Sequence, residues 1–156
     1  MNLIRRKFVK TATFVGVGAA LVGNGLVFPG RALAAYATAG FEAKDVDGAL
    51  KGSLGMSDHT ASDAVKLKAP DIAENGAVVP ITVSSSLDNV SAISIVALAN
   101  ASPLTSTYQL SPSTEAFVST RIKMAKTSDV VAVVKADGKL FSTTKEVKVT
   151  IGGCGG

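Results

Sequence analysis

The most reactive side chain in the sequence is its single cysteine, Cys154, which lies in the run Gly152-Gly153-Cys154-Gly155-Gly156. A lone thiol cannot form an intrachain disulfide, and a cysteine that packed in a core would not be flanked by residues without side chains. Glycine favours neither helix nor strand, so residues 152–156 are predicted to form a flexible C-terminal arm. Five extended residues span roughly 15–18 Å, which is enough to deliver a thiol into a narrow pocket of another protein.

The residues next to Cys154 in the sequence have no side chain that could activate its thiol. No basic residue adjoins it in the sequence, so we expect its activation to depend on the active site of a partner. The only histidine, His59, lies in a polar stretch, and one histidine with one distant cysteine does not supply a metal site. The sequence therefore predicts no metal, no cofactor and no Ser-His-Asp site, and this protein is expected to be acted on by enzymes and not to be one.

Residues 1–34 have the three parts of an export signal. Basic residues at Arg5-Arg6-Lys7 and Lys10 precede an apolar stretch, residues 11–28, and the small-residue site Ala32-Leu33-Ala34 follows. The arginine pair resembles the twin-arginine signal, so we expect cleavage before Ala35, a location in the periplasm and no membrane association after cleavage. An uncleaved membrane anchor is the alternative. Because twin-arginine export carries folded proteins, often with a companion, we also expect a partner subunit.

The basic charge of the chain belongs to this leader. The whole sequence carries +4, and the leader holds five basic residues and no acid, so the remainder carries −1. That remainder has no Trp, two Tyr and three Phe, which leaves neither a basic patch nor a set of aromatic side chains for stacking bases. Nucleic-acid binding is therefore not expected.

Residues 35–151 are predicted to form one all-β domain after a short N-terminal helix. Residues 39–54 carry apolar side chains near helical spacing, with charged residues between them. From Val65 onward, about seven short apolar or alternating runs are separated by turn residues, which predicts an antiparallel β-sandwich of immunoglobulin-like type. The predicted strands are Val65–Ala69, Val78–Ser85, Ala92–Ala99, Ser106–Leu110, Ala116–Met124, Ser128–Ala136 and Leu140–Ile151. The core is poor in aromatic residues, so cover from a partner on one sheet face would help it.

The end of the sequence, Val149-Thr150-Ile151 followed by Gly152-Gly153-Cys154-Gly155-Gly156, resembles the C-terminus of the SoxY family, carriers of the bacterial Sox sulfur-oxidation system. The leader and the predicted β domain agree with that family. The resemblance implies that Cys154 receives thiosulfate oxidatively from a haem enzyme. A hydrolase then removes sulfate and a dehydrogenase oxidises the remaining sulfur. It also implies a heterodimer with a SoxZ-like subunit, itself immunoglobulin-like.

Two other functions fit parts of the sequence. A ubiquitin-like sulfur carrier also ends in Gly-Gly, but its thiocarboxylate chemistry needs ATP, and the leader directs this chain out of the cytoplasm. A structural β-sandwich module would instead use Cys154 for an intermolecular disulfide. Intact-mass spectrometry separates these alternatives, because only the Sox hypothesis predicts thiosulfate-derived adducts that depend on Cys154.

Overall fold

Two β-sheets packed face to face form the body of this protein, in a computed structural model that describes residues 38–151. The predicted signal peptide, residues 1–34, and the predicted arm, residues 152–156 with Cys154, lie outside the described residues. The helices are α1 (Thr38–Glu42) and α2 (Val46–Leu54). The strands are β1 (His59–Ala61), β2 (Val65–Lys68), β3 (Ile72–Ala73), β4 (Val79–Ser85), β5 (Val90–Ala97), β6 (Leu104–Gln109), β7 (Phe117–Ile122), β8 (Ser128–Ala136) and β9 (Lys139–Val149).

The larger sheet has the strand order β1-β9-β8-β5-β6, with β3 as a second partner of β9, and the smaller sheet has the order β2-β4-β7. All pairings are antiparallel except those of β1 and β3, which both run parallel to β9. The prediction of an immunoglobulin-like β-sandwich is thus confirmed, with two parallel pairings that the sequence did not indicate.

Both faces of the larger sheet are buried, which explains why β5 and β8 are apolar at almost every position. Ile93 and Ile95 face the smaller sheet, where they pack with Ile81 and Val83 of β4. The alternate residues of β5 and β8 pack instead against Ala49, Leu50 and Leu54 of α2. The chain therefore covers this second face with its own helix, where the sequence suggested that a partner would help.

The predicted single helix over residues 39–54 is wrong in one respect, because two helices form. Residues 43–45 are not helical, and Asp45 adopts an extended conformation with φ −129° and ψ 163° as the N-cap of α2. Its carboxylate accepts a hydrogen bond from the Gly48 amide at 2.7 Å. The cap begins a new helix here, which lets α1 fold back against α2.

All seven predicted strands form, and the structure differs from the prediction at three places, namely two additional short strands and the end of the last strand. Ser128–Ala136 forms as predicted, and the following Asp137-Gly138 turn has positive φ at both residues, 48° and 74°. The strands β1 and β3 were not predicted, because they have only three and two residues and no alternating pattern. The last strand ends at Val149, so Ile151, which the predicted strand included, lies beyond it and is 64% exposed.

Within residues 38–151, no helix is long and apolar enough to cross a membrane.

Candidate functional site: the root of the arm

The last described residues, Val149–Ile151, form what we call the arm root, because the predicted arm with Cys154 follows directly. Cys154 and its neighbours Gly152, Gly153, Gly155 and Gly156 lie outside the described residues, so their placement stays a prediction. The arm root determines where any arm must start. Cys154 follows Ile151 by three positions, so the two Cα atoms are at most roughly 10–11 Å apart.

On one side, the arm root is hydrogen-bonded to the segment of residues 71–76, which contains β3. The Thr150 amide donates to the Ala73 carbonyl at 3.1 Å, and the Thr150 hydroxyl donates to the Glu74 carbonyl at 3.0 Å. The Gly76 amide then donates to the Ile151 carbonyl at 2.8 Å. The backbone is therefore held as far as Ile151, two residues beyond the end of β9.

Lys145 fixes the beginning of that segment. Its ammonium donates to the Ala69 carbonyl at 2.6 Å and forms an ion pair with Asp71 at 2.9 Å. Asp71 is 90% exposed and Lys145 34% exposed, so the ion pair itself adds little stability in water. The hydrogen bond from Lys145 to the Ala69 carbonyl contributes more, because it holds residues 69–73 beside β9, where β3 pairs in parallel.

On the other side, the arm root contacts residues 123–127, the connection between β7 and β8. The Val149 amide donates to the Thr127 hydroxyl at 2.8 Å. The Met124 amide donates to the Gly76 carbonyl at 2.7 Å, so the connection also meets the residue that holds Ile151. Both flanks of the arm root are thus joined to each other through Gly76.

Asn100 holds the 123–127 connection from behind. Its side-chain amide donates to the Lys123 carbonyl at 2.7 Å, and its side-chain carbonyl accepts from the Ala125 amide at 2.9 Å. A single side chain therefore joins the β5–β6 turn to the β7–β8 connection. The result is a fixed frame of loops around the start of the arm.

Exposed side chains of two kinds surround this frame. Ile151 is 64% exposed and Val78, two residues beyond Gly76, is 54% exposed, so apolar surface lies beside the arm root. Lys123 and Lys126 are also exposed, on the connection that meets Val149. The sequence placed no basic residue next to Cys154; the fold places two on a loop that contacts the residues before it.

His59 takes part in a structural contact. It begins β1, and its Nδ1 lies 2.9 Å from the hydroxyl of Ser142, which is 4% exposed. Because that hydroxyl is buried, it is not open to a substrate. In the described part of the chain, no group of three or more His, Cys, Asp or Glu side chains is placed to hold a metal ion.

A cavity of about 390 Å³ lies at the opposite end of the sandwich, between the β4–β5 and β6–β7 loops. Its lining is mostly serine, threonine and apolar residues, with Asp88 as the charged side chain. It has no second carboxylate and no histidine, so it offers no acid-base pair. The arm root is the better candidate for function.

Sequence reasoning identified Cys154 but missed the residues that hold the arm root. Thr127 and Val149 are 22 positions apart, and Asn100 and Lys123 are 23 apart. Such contacts depend on strand pairing that no local pattern reveals. The one available signal was the turn chemistry of Asn100 and of the 74–76 run, which marked both as loops.

Comparison with known proteins gives a consistent result. The family model described as "Sulfur oxidation protein SoxY" matches residues 50–154. The structure of the sulfur carrier protein SoxY from Chlorobium limicola f thiosulfatophilum is similar with a TM-score of 0.62 and 43% sequence identity, over 70% of this chain and 95% of that one. Superoxide reductase (neelaredoxin) from Ignicoccus hospitalis is similar in fold alone, with a TM-score of 0.50 and 18% identity over 55% of this chain and 80% of its own. No curated protein sequence matches this chain.

Proposed function

Since the chain belongs to the SoxY family of sulfur oxidation proteins, we propose that it is a covalent carrier of sulfur intermediates in thiosulfate oxidation, with the sulfur bound to Cys154. One observation supports this most directly. The family match continues as far as residue 154, the only cysteine of the chain, three residues beyond the anchored Ile151. A cysteine that ends the matched region is hard to explain as a packing residue.

In the proposed chemistry, Cys154 holds the sulfur and the partner enzymes carry out its oxidation and hydrolysis. The Cys154 thiol and thiosulfate together lose one proton and two electrons, and a new bond between the Cys154 Sγ and the outer sulfur of thiosulfate gives Cys–Sγ–S–SO₃⁻. The electrons pass to the Sox haem enzyme. Water then attacks the sulfonate sulfur in the hydrolase, which releases sulfate and leaves a persulfide on Cys154 for the sulfur dehydrogenase to oxidise.

The proposal includes a SoxZ-like subunit as a stable partner and a periplasmic location after twin-arginine export. Support for the export comes from the leader, residues 1–34, and its Ala32-Leu33-Ala34 site. Support for transient partners comes from the arm root. A base held on both sides presents whatever follows it at one fixed place on the protein, which suits visits to several enzymes in turn.

The test is intact-mass spectrometry of the protein purified from periplasm of thiosulfate-grown cells, compared with Cys154→Ser. We expect adducts of thiosulfate or reduced sulfur on the wild-type protein, removed by dithiothreitol and missing from C154S, together with loss of thiosulfate oxidation in C154S cells. Co-purification of a small second subunit with both forms is the accompanying expectation.

Each rival function predicts something else. A terminal thiocarboxylate would survive Cys154→Ser, and a structural module would show only disulfide-linked dimers without an adduct. Normal thiosulfate oxidation by cells that contain C154S as their only copy would refute the proposal.

A further inference from the structure

The segment that holds the arm root contains an asparagine followed directly by a glycine, Asn75-Gly76, which is the one such pair after residue 34. An Asn-Gly bond is especially prone to deamidation, because glycine has no side chain to obstruct the reaction. The other asparagines of residues 38–151, Asn89 and Asn100, precede residues with a Cβ atom. Asn75 is exposed, so water reaches its side chain.

Deamidation begins when the Gly76 amide nitrogen attacks Cγ, the side-chain carbonyl carbon of Asn75. The nitrogen gives up its proton, a new N–Cγ bond closes a succinimide ring, and the Cγ–Nδ2 bond breaks to release ammonia. Water then opens the ring at either of its carbonyl carbons, which yields aspartate or isoaspartate. The reaction is a hydrolysis and needs no oxidant, cofactor or enzyme.

Both reacting groups are held in the folded protein. The Gly76 amide donates its proton to the Ile151 carbonyl at 2.8 Å, and Gly76 is buried. The side-chain oxygen of Asn75 accepts a hydrogen bond from the Ala77 amide at 2.8 Å. An amide nitrogen whose proton is held in a hydrogen bond is a poor nucleophile. The closed arm root therefore protects the Asn75-Gly76 bond.

From these contacts we propose that Asn75-Gly76 is a deamidation site controlled by the arm root. The bond is protected while Ile151 is held, and it reacts when residues 149–151 detach. The site lies in the body of the protein and depends on neither Cys154 nor the proposed function.

The product of the reaction changes the frame of loops around the arm root. In isoaspartate the backbone runs through Cβ and Cγ, so an additional carbon atom lies between residue 75 and Gly76. Thr150 binds the carbonyls of Ala73 and Glu74 before this insertion, whereas Ile151 binds Gly76 after it. These bonds no longer share one register, so isoaspartate at position 75 loosens the arm root.

The test follows deamidation of the full mature chain in mildly alkaline buffer. Peptide mapping by mass spectrometry detects the gain of about one dalton at Asn75. Thr150→Val removes the hydroxyl that donates to the Glu74 carbonyl, beside Asn75, and Thr150→Ser keeps a hydroxyl there. Thr144→Val is the matched control, because Thr144 is an exposed residue of β9 whose side chain makes no described hydrogen bond.

We expect Asn75 of the native wild type to react on the order of thirtyfold more slowly than in denaturing urea, because two hydrogen bonds must open and each contributes roughly a factor of five. T150V should react about fivefold faster than wild type in native buffer. T150S and T144V should keep the wild-type rate, and all four proteins should react equally in urea. Asn89 and Asn100 should remain unmodified and serve as internal standards.

Thr127→Val provides a second way to open the arm root, because it frees the Val149 amide on the other flank. Deamidation of Asn75 in T127V should also be about fivefold faster than in wild type. Equal rates for native and unfolded wild type, a wild-type rate in both T150V and T127V, or an equal acceleration in T144V would overturn the control by the arm root.

The effect of the product is measured on the isoaspartate form, separated by ion exchange. Hydrogen exchange of its Thr150 amide, followed by NMR, should be severalfold faster than in wild type. Asn75→Asp, which adds the same charge without lengthening the backbone, should leave that exchange rate unchanged. A wild-type exchange rate in the isoaspartate form would show that the modification does not loosen the arm root.

Discussion

The closest backbone contact between the two helices predicts a large difference between two glycine substitutions in α2. A Cβ atom added at Gly52 would lie 2.3 Å from the Gly40 amide nitrogen and 2.6 Å from the Ala39 carbonyl carbon. Ordinary contacts begin near 3.4 Å, so α1 would have to move by about 1 Å. Gly40 is itself tightly enclosed, because a Cβ atom added there would lie 2.9 Å from the Ala49 carbonyl oxygen, so α1 has little room to move.

Two effects of Gly52→Ala oppose each other. Overpacking costs typically about 1–3 kcal/mol, and alanine in place of glycine in a helix returns about 1 kcal/mol. Because the obstructing atoms belong to the backbone, overpacking should win, with a net loss of about 1–2 kcal/mol. Gly48→Ala is the matched control on the same helix, since its nearest contact is the Ala43 Cβ at 3.2 Å and needs only a small shift. We expect G48A within about 0.5 kcal/mol of wild type.

Urea unfolding of the mature chain measures the change in the free energy of unfolding for both variants. For a slope near 2 kcal/mol/M, the midpoint of G52A should fall by roughly 0.5–1 M while that of G48A stays close to wild type. The slope should not change, because the same surface is exposed on unfolding. A wild-type midpoint for G52A, or an equal fall in the two variants, would show that the Gly40–Gly52 contact does not limit helix packing.

Two further predictions concern the arm. Thr127→Val removes the acceptor of the Val149 amide at 2.8 Å, so hydrogen exchange of that amide, followed by NMR, should become about fivefold faster. Thr144→Val on β9, whose side chain makes no described hydrogen bond, should leave the Val149 exchange rate unchanged. A wild-type exchange rate in T127V would mean that the bond does not hold the arm root. Gly153→Val with Gly155→Val should slow turnover by the processing enzymes more than insertion of one glycine after Gly152, because we expect narrow enzyme pockets to reject bulk before they reject length; unaffected turnover in the valine variant would contradict this.

The sequence predicted the elements whose pattern has a local physical cause. Alternation in β4 indicated a strand buried on one face, and Ile81 and Val83 are indeed 1% and 0% exposed. The Asp137-Gly138 dipeptide indicated the β8–β9 turn. Cys154 was found as a candidate from composition alone, since a single thiol among glycines needs no fold to be noticed.

Elements that form through contacts with residues distant in the sequence were not predicted, because no local pattern indicates them. β3 has two residues, and it exists because Lys145, Thr150 and Ile151 hold its segment along the end of β9. The break between α1 and α2 follows from the extended conformation of Asp45, which competes with a helix pattern that continues across it.

How far the arm reaches depends on whether the strand before it can peel away from the sheet. Peeling the residues from Val149 to Ile151 would break five hydrogen bonds, two with Thr127 and one each with Ala73, Glu74 and Gly76, each worth about 1 kcal/mol. That total is far above thermal energy, so the arm lengthens rarely by this route. The distance that the proposed carrier covers is then set by its residue count, about 3.5 Å for each residue beyond Ile151. Under the proposed function, Cys154 then works close to the frame of loops at the arm root, and the residues of that frame belong to the surface that each partner enzyme would meet.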